Sequence, residues 1–194
     1  VILIIAILTF DHHPVESYLV EKRNVSQFTT LTLVYGTHND SKLNHSMAQN
    51  FCEDLGKTFN VTGKQHVVSN LMSIHTPAII PDIMRWVLSV ERERFYIGAQ
   101  FIKWVHGHRE GYFLEWTDKT SDDFHNIHRP REVLDDMEPL ERRCVSVDYK
   151  HGKWGVHKCS TRMNFLCLSH IIDPEAMRDE DERLPMEKEK HENP

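Results

Sequence analysis

The segment at residues 144–167, CVSVDYKHGKWGVHKCSTRMNFLC, contains three of the four cysteines in the chain. Within it, residues 145–149 and 165–168 are short runs rich in β-branched and apolar residues, which predict two β-strands. The fourth cysteine is Cys52, and the spacings of the four include no CxxC pair that would indicate a zinc or redox site. We therefore expect the cysteines to form two disulfide bonds.

Two helices are predicted upstream of this segment. In the first, Ser46 is the expected N-cap, Gln49 is its capping-box partner, and Gly56 is the C-terminal stop. Four apolar positions at helical spacing predict a face that packs on the core. Its members are Ala48, Phe51, Cys52 and Leu55. The second helix is expected to begin with Thr76 as N-cap and Pro77 at the first helical position.

Beyond the second helix, the apolar pattern changes to the period of short strands. Residues 95–99 and 112–116 are predicted strands, and residues 31–35 (LTLVY) are a further candidate nearer the N-terminus. Two helices followed by strands predict an α+β domain. The 27 residues between Trp116 and Cys144 show little periodicity, and such a long loop in a compact domain is usually functional.

The composition limits the number of domains and the kinds of partner. The chain has 194 residues, 40% of them hydrophobic, which suits one domain with extensions. It has 23 Lys and Arg against 29 Asp and Glu, so the net charge of −6 argues against nucleic acid as a partner. Residues 171–194 are acidic and have too few apolar side chains to offset the entropy cost of ordering, so we expect a disordered tail.

The N-terminus and the sequons indicate the secretory route. Residues 1–10 (VILIIAILTF) are too few to cross a bilayer as a helix, which needs about 20, but they fit the apolar core of a signal sequence that lacks its first residues. A buried first strand and a truncated type II membrane anchor are the alternatives. Four N-x-S/T sequons are candidate glycosylation sites in a secreted protein. They begin at Asn24, Asn39, Asn44 and Asn60.

This order of features resembles that of the C-type lectin-like domain. The resemblance is carried by the helix with Cys52, by NLMSIH at residues 70–75, by FYIGA at 95–99, by WTD at 116–118, and by the closing segment 144–167. It implies a fold of two helices, antiparallel strands and a long loop, in the short form of the domain, over residues 33–170 after an extension at 11–32. It also implies that Cys52 pairs with Cys167 and Cys144 with Cys159.

Sugar-binding members of this family hold a calcium ion with oxygen-bearing side chains in the long loop, before a late cysteine and directly after a core tryptophan. The matching positions in this chain are Arg129, Arg131, Arg142, Gly155 and Val156. Cations, a glycine and an apolar residue therefore stand where the family has oxygen donors. The resemblance thus implies no calcium at the sugar site, and we predict no other cofactor.

Two weaker metal hypotheses rest on other side chains. An auxiliary calcium site in the long loop is one, and a charged, solvated surface is its alternative. The carboxylates in question are Asp118, Asp122 and Asp123, with Asp135 and Asp136 further along. A zinc site is the other, and solvated loop histidines are its alternative. The histidines are His106, His108, His125 and His128.

The sequence contains no HExxH, GxSxG or phosphate-loop motif, and its four cysteines are assigned to bridges, so we predict no enzyme. The expected function is a secreted protein that binds a protein or an anionic ligand through the long loop without calcium. Candidate binding residues are Arg129, Arg131, Arg142, Arg143 and Trp154, although the tryptophans are expected mainly as core and loop-anchor residues. These arginines could instead neutralise acidic residues of the same loop. A lectin that binds sugar by a different route and the ectodomain of a type II membrane receptor are alternatives, and no oligomeric state is predicted.

Overall fold

A computed structural model describes residues 18–36, 38, 41–127 and 136–173. Its strands and helices, in chain order, are β1 (Tyr18–Asn24), β2 (Thr29–Gly36), α1 (His45–Lys57), β3 (His66–Leu71), α2 (Ile80–Val90), β4 (Phe95–His106), β5 (Arg109–Trp116), β6 (Arg142–Val147), β7 (Trp154–Lys158) and β8 (Asn164–Ile172). The expectations for residues 1–10 and for the acidic tail beyond residue 173 lie outside the described residues.

The strands form one mixed sheet in the order β1-β2-β8-β4-β6-β7, with β3 also paired to β8 and β5 to β4. The pairings are antiparallel except for a short parallel contact between β4 and β8. Successive strand residues point to opposite sides of the sheet, and β6 shows the result: Val145 and Val147 belong to a large core with Trp116 and Trp154, whereas Cys144 belongs to a smaller core. The smaller core packs against α1, so the α+β prediction is confirmed.

Both disulfide bonds implied by the resemblance are present. Cys52 of α1 is joined to Cys167 of β8, with a Cα–Cα distance of 5.5 Å, and closes a separation of 115 residues. Cys144 is joined to Cys159, with a Cα–Cα distance of 4.9 Å, across the β6–β7 hairpin. The first bridge therefore ties the helix to the central strands, and the second fixes the strand that follows the long loop.

The first helix begins earlier than predicted. Asn44, not Ser46, is the N-cap, and its side-chain oxygen accepts a hydrogen bond from the Met47 N–H at 2.9 Å. Gln49 does not complete a capping box, because its Oε1 accepts the Leu71 N–H at 3.0 Å and so connects α1 to the end of β3. The Gln49 side chain therefore makes a tertiary hydrogen bond with β3 in place of the capping hydrogen bond that the sequence pattern predicts.

The prediction that Gly56 ends the first helix is also wrong, because α1 continues to Lys57 and is capped by Thr58. Gly56 instead lies close to β3, where a Cβ would be 3.0 Å from the Ser69 Cβ and would require a small shift of that neighbour. Thr76 acts as the predicted cap, but it caps a short 3-10 turn, Pro77–Ile79, that leads into α2.

The sheet reaches beyond the limits of 33 and 170 that the sequence suggests. The strand β1 pairs along its whole length with β2, and β8 continues to Ile172. Three strands were not predicted, namely β1, β7 and most of β3, because short or half-polar strands lack a clear period-two pattern. In the described part of the chain, neither helix is long and apolar enough to cross a membrane.

Candidate functional site

The long loop between β5 and β6 leaves the sheet at a closely packed position. Trp116 is buried in the large core, and the Thr117 N–H donates to the Gly98 carbonyl at 2.8 Å. Gly98 permits this approach, because a Cβ there would lie 2.6 Å from Thr117 Oγ1 and 2.7 Å from the Leu71 carbonyl oxygen. The loop therefore starts from a fixed point beside β4.

The next part of the loop is anchored on Trp154. The Phe124 and Trp154 rings pack edge to face, with their centroids 5.7 Å apart. The backbone N–H of Trp154 donates to the Asn126 carbonyl at 2.9 Å. The Asn126 side chain donates to the Gly152 carbonyl at 2.7 Å. Trp154 is only 1% exposed. The candidate ligand-binding residue Trp154 is therefore an interior residue that holds the loop, and its ring does not face solvent.

Arg143 pairs with acidic residues at the end of the loop. Its Nε donates to Glu141 Oε1, and its Nη2 lies 3.8 Å from Asp136 Oδ2. The hydrogen bond from Arg143, together with one from the Glu138 N–H, holds the pKa of Glu141 below its ordinary value. The Arg143 side chain is only 12% exposed. At this arginine the structure agrees with charge neutralisation within the loop.

Arg142 has a different environment. Its side chain is 53% exposed, and Nη1 donates to Glu115 Oε2 at 2.7 Å and to Gln100 Oε1 at 3.0 Å. Lys119 also donates to Glu115, and the hydrogen bonds from Lys119 and Arg142 hold the pKa of that carboxyl below its ordinary value. Nε and Nη2 of Arg142 have no partner in the described part of the chain, so they remain available to an external acceptor.

These side chains line a shallow polar depression of about 160 Å³ between α1, the β4–β5 hairpin and the start of β6. It contains two carboxylates, two cations and two amides, brought together from four parts of the chain. Its lining residues are Gln49, Glu53, Gln100, Glu115, Trp116, Thr117, Lys119 and Arg142. Of these, only Arg142 was a candidate from sequence. The signal for Glu115 and Gln100 is their direct pairing across β4 and β5, which requires the register to be known.

Buried His45 lies behind this depression. Its Nε2 is 3.1 Å from the Ile97 carbonyl and therefore carries the donated proton, which leaves Nδ1 to accept from Gln100 Nε2 at 3.3 Å. Burial lowers the pKa of His45 from 6.5 to about 4. The neutral ring thus continues the hydrogen-bonded chain from Arg142 through Gln100 into the core.

The positions that match the sugar-site calcium ligands offer no oxygen side chains among the described residues. Gly155 pairs with Ser146 in the β6–β7 hairpin, and Val156 is buried in the large core. The cationic side chain of Arg142 is turned toward Glu115. Arg129 and Arg131 lie outside the described residues.

The auxiliary calcium candidates are each engaged separately. Asp118 accepts from the Thr120 N–H and hydroxyl, Asp122 contacts His125 at 2.7 Å, and Asp123 contacts His75 at 2.7 Å. Asp135 and the zinc candidate His128 lie outside the described residues, while His106 ends β4 and His108 lies in the turn before β5. No group of three His, Cys, Asp or Glu able to hold a metal occurs in the part of the chain that the structure describes.

The sequons fall in different surroundings. Asn24 ends β1 and is exposed, with its side-chain oxygen accepting from the Thr30 hydroxyl at 3.1 Å. Asn60 is exposed in the segment after α1, and Asn44 caps that helix. Asn39 lies outside the described residues.

Solved structures of C-type lectins are similar to this one. The carbohydrate-recognition domain of the human scavenger receptor C-type lectin has a TM-score of 0.51 at 24% identity, covering 76% of this chain and 94% of that chain. The C-type lectin CEL-I from Cucumaria echinata has 0.53 at 13%, covering 75% and 92%, and human lithostathine has 0.51 at 15%, covering 75% and 85%. No protein-family model and no curated protein matches the sequence. Similarity at these identities establishes the fold.

Proposed function

Because the chain has the C-type lectin-like fold, we propose that it is a secreted protein that binds a protein or an anionic ligand through the long loop and the adjoining Arg142, without calcium. The observation that carries the proposal is the chemistry at the sugar-site positions. Gly155 has no side chain, Val156 is buried and apolar, and Arg142 is cationic. Calcium requires six to eight oxygen ligands, so these positions disfavour it.

Arg142 supports an anionic ligand more directly than Arg143 does. A guanidinium group has five donors in a planar fork, which suits carboxylate, sulfate or phosphate. Arg142 uses one nitrogen internally and is half exposed, whereas Arg143 is nearly buried between Glu141 and Asp136. The proposal therefore assigns anion binding to Arg142 and a structural role to Arg143. Arg129 and Arg131 are proposed to extend the cationic surface along the loop.

Secretion is part of the proposal and is supported by the apolar segment 1–10 and by the sequons at Asn24, Asn39, Asn44 and Asn60. Two disulfide bonds that close 115 and 15 residues also suit an oxidising compartment. Expression with mass spectrometry of the released protein tests this part, because retention of a reduced chain in the cytosol would contradict it.

The binding test uses a sulfated heparin oligosaccharide and a polyglutamate peptide as probes, each with calcium and with chelator. We expect binding that is equal in both conditions and weakens steeply between low and physiological salt. Arg142→Glu should reduce the affinity at least tenfold. Arg85→Glu is the matched control, since Arg85 is an exposed arginine paired with Asp82 on α2, away from the loop. Arg129→Glu with Arg131→Glu should slow association more than it speeds dissociation.

Three results would count against the proposal. Binding that requires calcium would show that the ligand is held through a bound metal ion, contrary to the proposal. Equal losses for Arg142→Glu and Arg85→Glu would remove the assigned role of Arg142. Binding of a neutral oligosaccharide with no dependence on salt or charge reversal would favour a lectin of a different kind.

A further inference from the structure

The strand β5 has one unpaired edge. It pairs with β4 from Arg109 to Trp116, and its other edge carries no strand in the described part of the chain. Proteins usually shorten, cover or charge such edges, because exposed backbone N–H and C=O groups can accept another strand. Here the edge is eight residues long, and one side chain of β5, Phe113, is an exposed aromatic ring. The edge is therefore suited to a partner strand.

One face of the β4–β5 hairpin carries two exposed aromatic rings. Phe113 is 46% exposed and Trp104 is 38% exposed. Trp104 pairs with Gly111, and its indole covers that glycine, because a Cβ at Gly111 would lie 2.7 Å from the indole ring. Residues 109, 111, 113 and 115 of β5 share this face because strand residues alternate. An incoming strand on the free edge would meet the aromatic surface of Trp104 above Gly111.

We infer that two copies of this chain pair through the free edges of β5, antiparallel across a twofold axis at Tyr112. A twofold axis requires one residue of β5 to pair with itself, which leaves only a few possible registers. With Tyr112 at the axis, Arg109 lies opposite Glu115 of the second copy, and this ion pair occurs twice. Phe113 then lies opposite Gly111 of the second copy, beside its Trp104.

The neighbouring registers lack this charge complementarity. An axis at Gly111 would place Arg109 opposite Phe113. An axis at Phe113 would pair the two Phe113 rings, but it would place Glu115 opposite Gly111 and leave Arg109 without an opposite charge. Opposite charges that face each other across antiparallel strands stabilise the pairing, so the two Arg109–Glu115 pairs favour the axis at Tyr112. The positions of Arg109 and Glu115 along β5 therefore favour one register, and a second copy of the chain supplies the opposite charges.

The inferred dimer and the proposed ligand binding use different groups except for Glu115. The dimer uses the free edge of β5 and the exposed aromatic rings of the hairpin, whereas ligand binding is assigned to the long loop and to Arg142. Glu115 belongs to both, since Arg142 donates to it within one chain and Arg109 of the second copy would approach it from outside. The dimer is measured without ligand, so either idea can fail alone.

The most direct test places a cysteine at residue 112, on the inferred twofold axis. All four native cysteines are in disulfide bonds, so Tyr112→Cys introduces one reactive thiol. Under mild oxidation we expect most of this variant to become a covalent dimer. Phe113→Cys is the matched control, one position along on the other face, and it should crosslink at least tenfold more slowly. Equal rates, or faster crosslinking of Phe113→Cys, would overturn the inferred pairing.

A second test does not depend on crosslinking. Sedimentation equilibrium of the native chain should show a concentration-dependent dimer, and Phe113→Asp and Arg109→Glu should each raise the dissociation constant at least tenfold. Phe28→Asp is the control, because Phe28 is similarly exposed in the turn between β1 and β2. A native chain that stays monomeric at high micromolar concentration, or a dimer unchanged by both β5 variants, would overturn the inference.

Discussion

The two ends of β4 have similar apolar sequences and opposite surroundings. The first, FYIGA at residues 95–99, is fully buried, while the last, WVH at residues 104–106, is exposed. The first end lies between β8 and β6 with His45 packed against it, and the last end projects with β5 as a hairpin. Burial of an apolar strand is therefore decided by the number of neighbours that its position provides.

The largest expected effect is on core packing at the two ends. Phe95→Ala should lower the free energy of unfolding by about 3–5 kcal/mol, because it removes a fully buried ring. Trp104→Ala removes a larger ring but should cost about 1 kcal/mol, since much of that ring is already in water. Urea unfolding of both variants, at a protein concentration at which the chain is monomeric, gives the comparison. Similar losses would contradict the exposure of the hairpin in the single chain.

The disulfide beside the buried end should have the next largest effect. Replacing Cys52 and Cys167 together by Ala should cost about 2–5 kcal/mol, because the bridge closes 115 residues in the unfolded chain. Removal of Cys144 and Cys159, which close 15 residues, should cost less. Urea unfolding of the two double variants measures the difference. A larger loss for the second pair would show that the chain-entropy argument does not hold here.

The pH dependence of the unfolding free energy tests the buried end of β4, because His45 packs against it. Its folded pKa of about 4 lies below the ordinary 6.5, so the unfolded chain binds more protons between these values. The free energy of unfolding should therefore fall as pH drops from about 6.5 to 4, by on the order of 3 kcal/mol from this group. His45→Gln should flatten that slope.

Two other histidines titrate in the same direction, because burial lowers the pKa of His157 and of His170. His157→Gln is therefore the control for His45→Gln, and we expect it to change the slope less. Glu115 and Glu141 also have lowered pKa values, but their contributions are lost only as pH falls below about 4.5. A slope that is the same in the native chain and in His45→Gln would contradict the burial of a neutral ring.

The smallest expected effect is the difference in unfolding free energy between variants of the two adjacent arginines. Arg143→Ala should cost about 1 kcal/mol of unfolding free energy, since it leaves Glu141 without its partner, and Arg142→Ala should cost less than about 0.5 kcal/mol. Binding of the heparin oligosaccharide should show the reverse order. If Arg143→Ala weakened binding more than Arg142→Ala, the assignment of roles at the end of the loop would be wrong.

Much of the fold follows from local patterns in the sequence. The apolar spacing around Cys52 predicts α1, and the short runs at 95–99, 112–116, 145–149 and 165–168 lie within or largely overlap β4, β5, β6 and β8. The caps of α1 were predicted wrongly, because Gln49 and Gly56 serve contacts with β3 that no local pattern contains. Strand β1 was missed because it is held by pairing with β2, while its own sequence is half polar.

The candidate site was less accessible to sequence reasoning. From the sequence and the family resemblance, Arg142 and Arg143 were both candidate binding residues, with neutralisation of acidic residues in the same loop as the alternative. Their difference depends on which carboxylates are near in space: Glu115 from β5 reaches Arg142, and Glu141 and Asp136 reach Arg143. Trp154 was both a ligand-binding candidate and an expected core or loop-anchor residue, and the structure supports the second role, because the Phe124 ring and the backbone of Asn126 contact it.

The sequence by itself determined the fold class and indicated that the four cysteines form two disulfide bonds. These properties depend on residue types and on spacing along the chain, whereas the pairing of the cysteines and the match of Gly155 and Val156 to calcium-ligand positions came from the resemblance to the C-type lectin-like domain. Only the tertiary structure decided which arginine keeps donors exposed, which tryptophan is buried and which strand has an open edge. Those properties depend on groups brought together from distant parts of the chain, such as Glu115 with Arg142, by a strand register that short-range patterns do not encode.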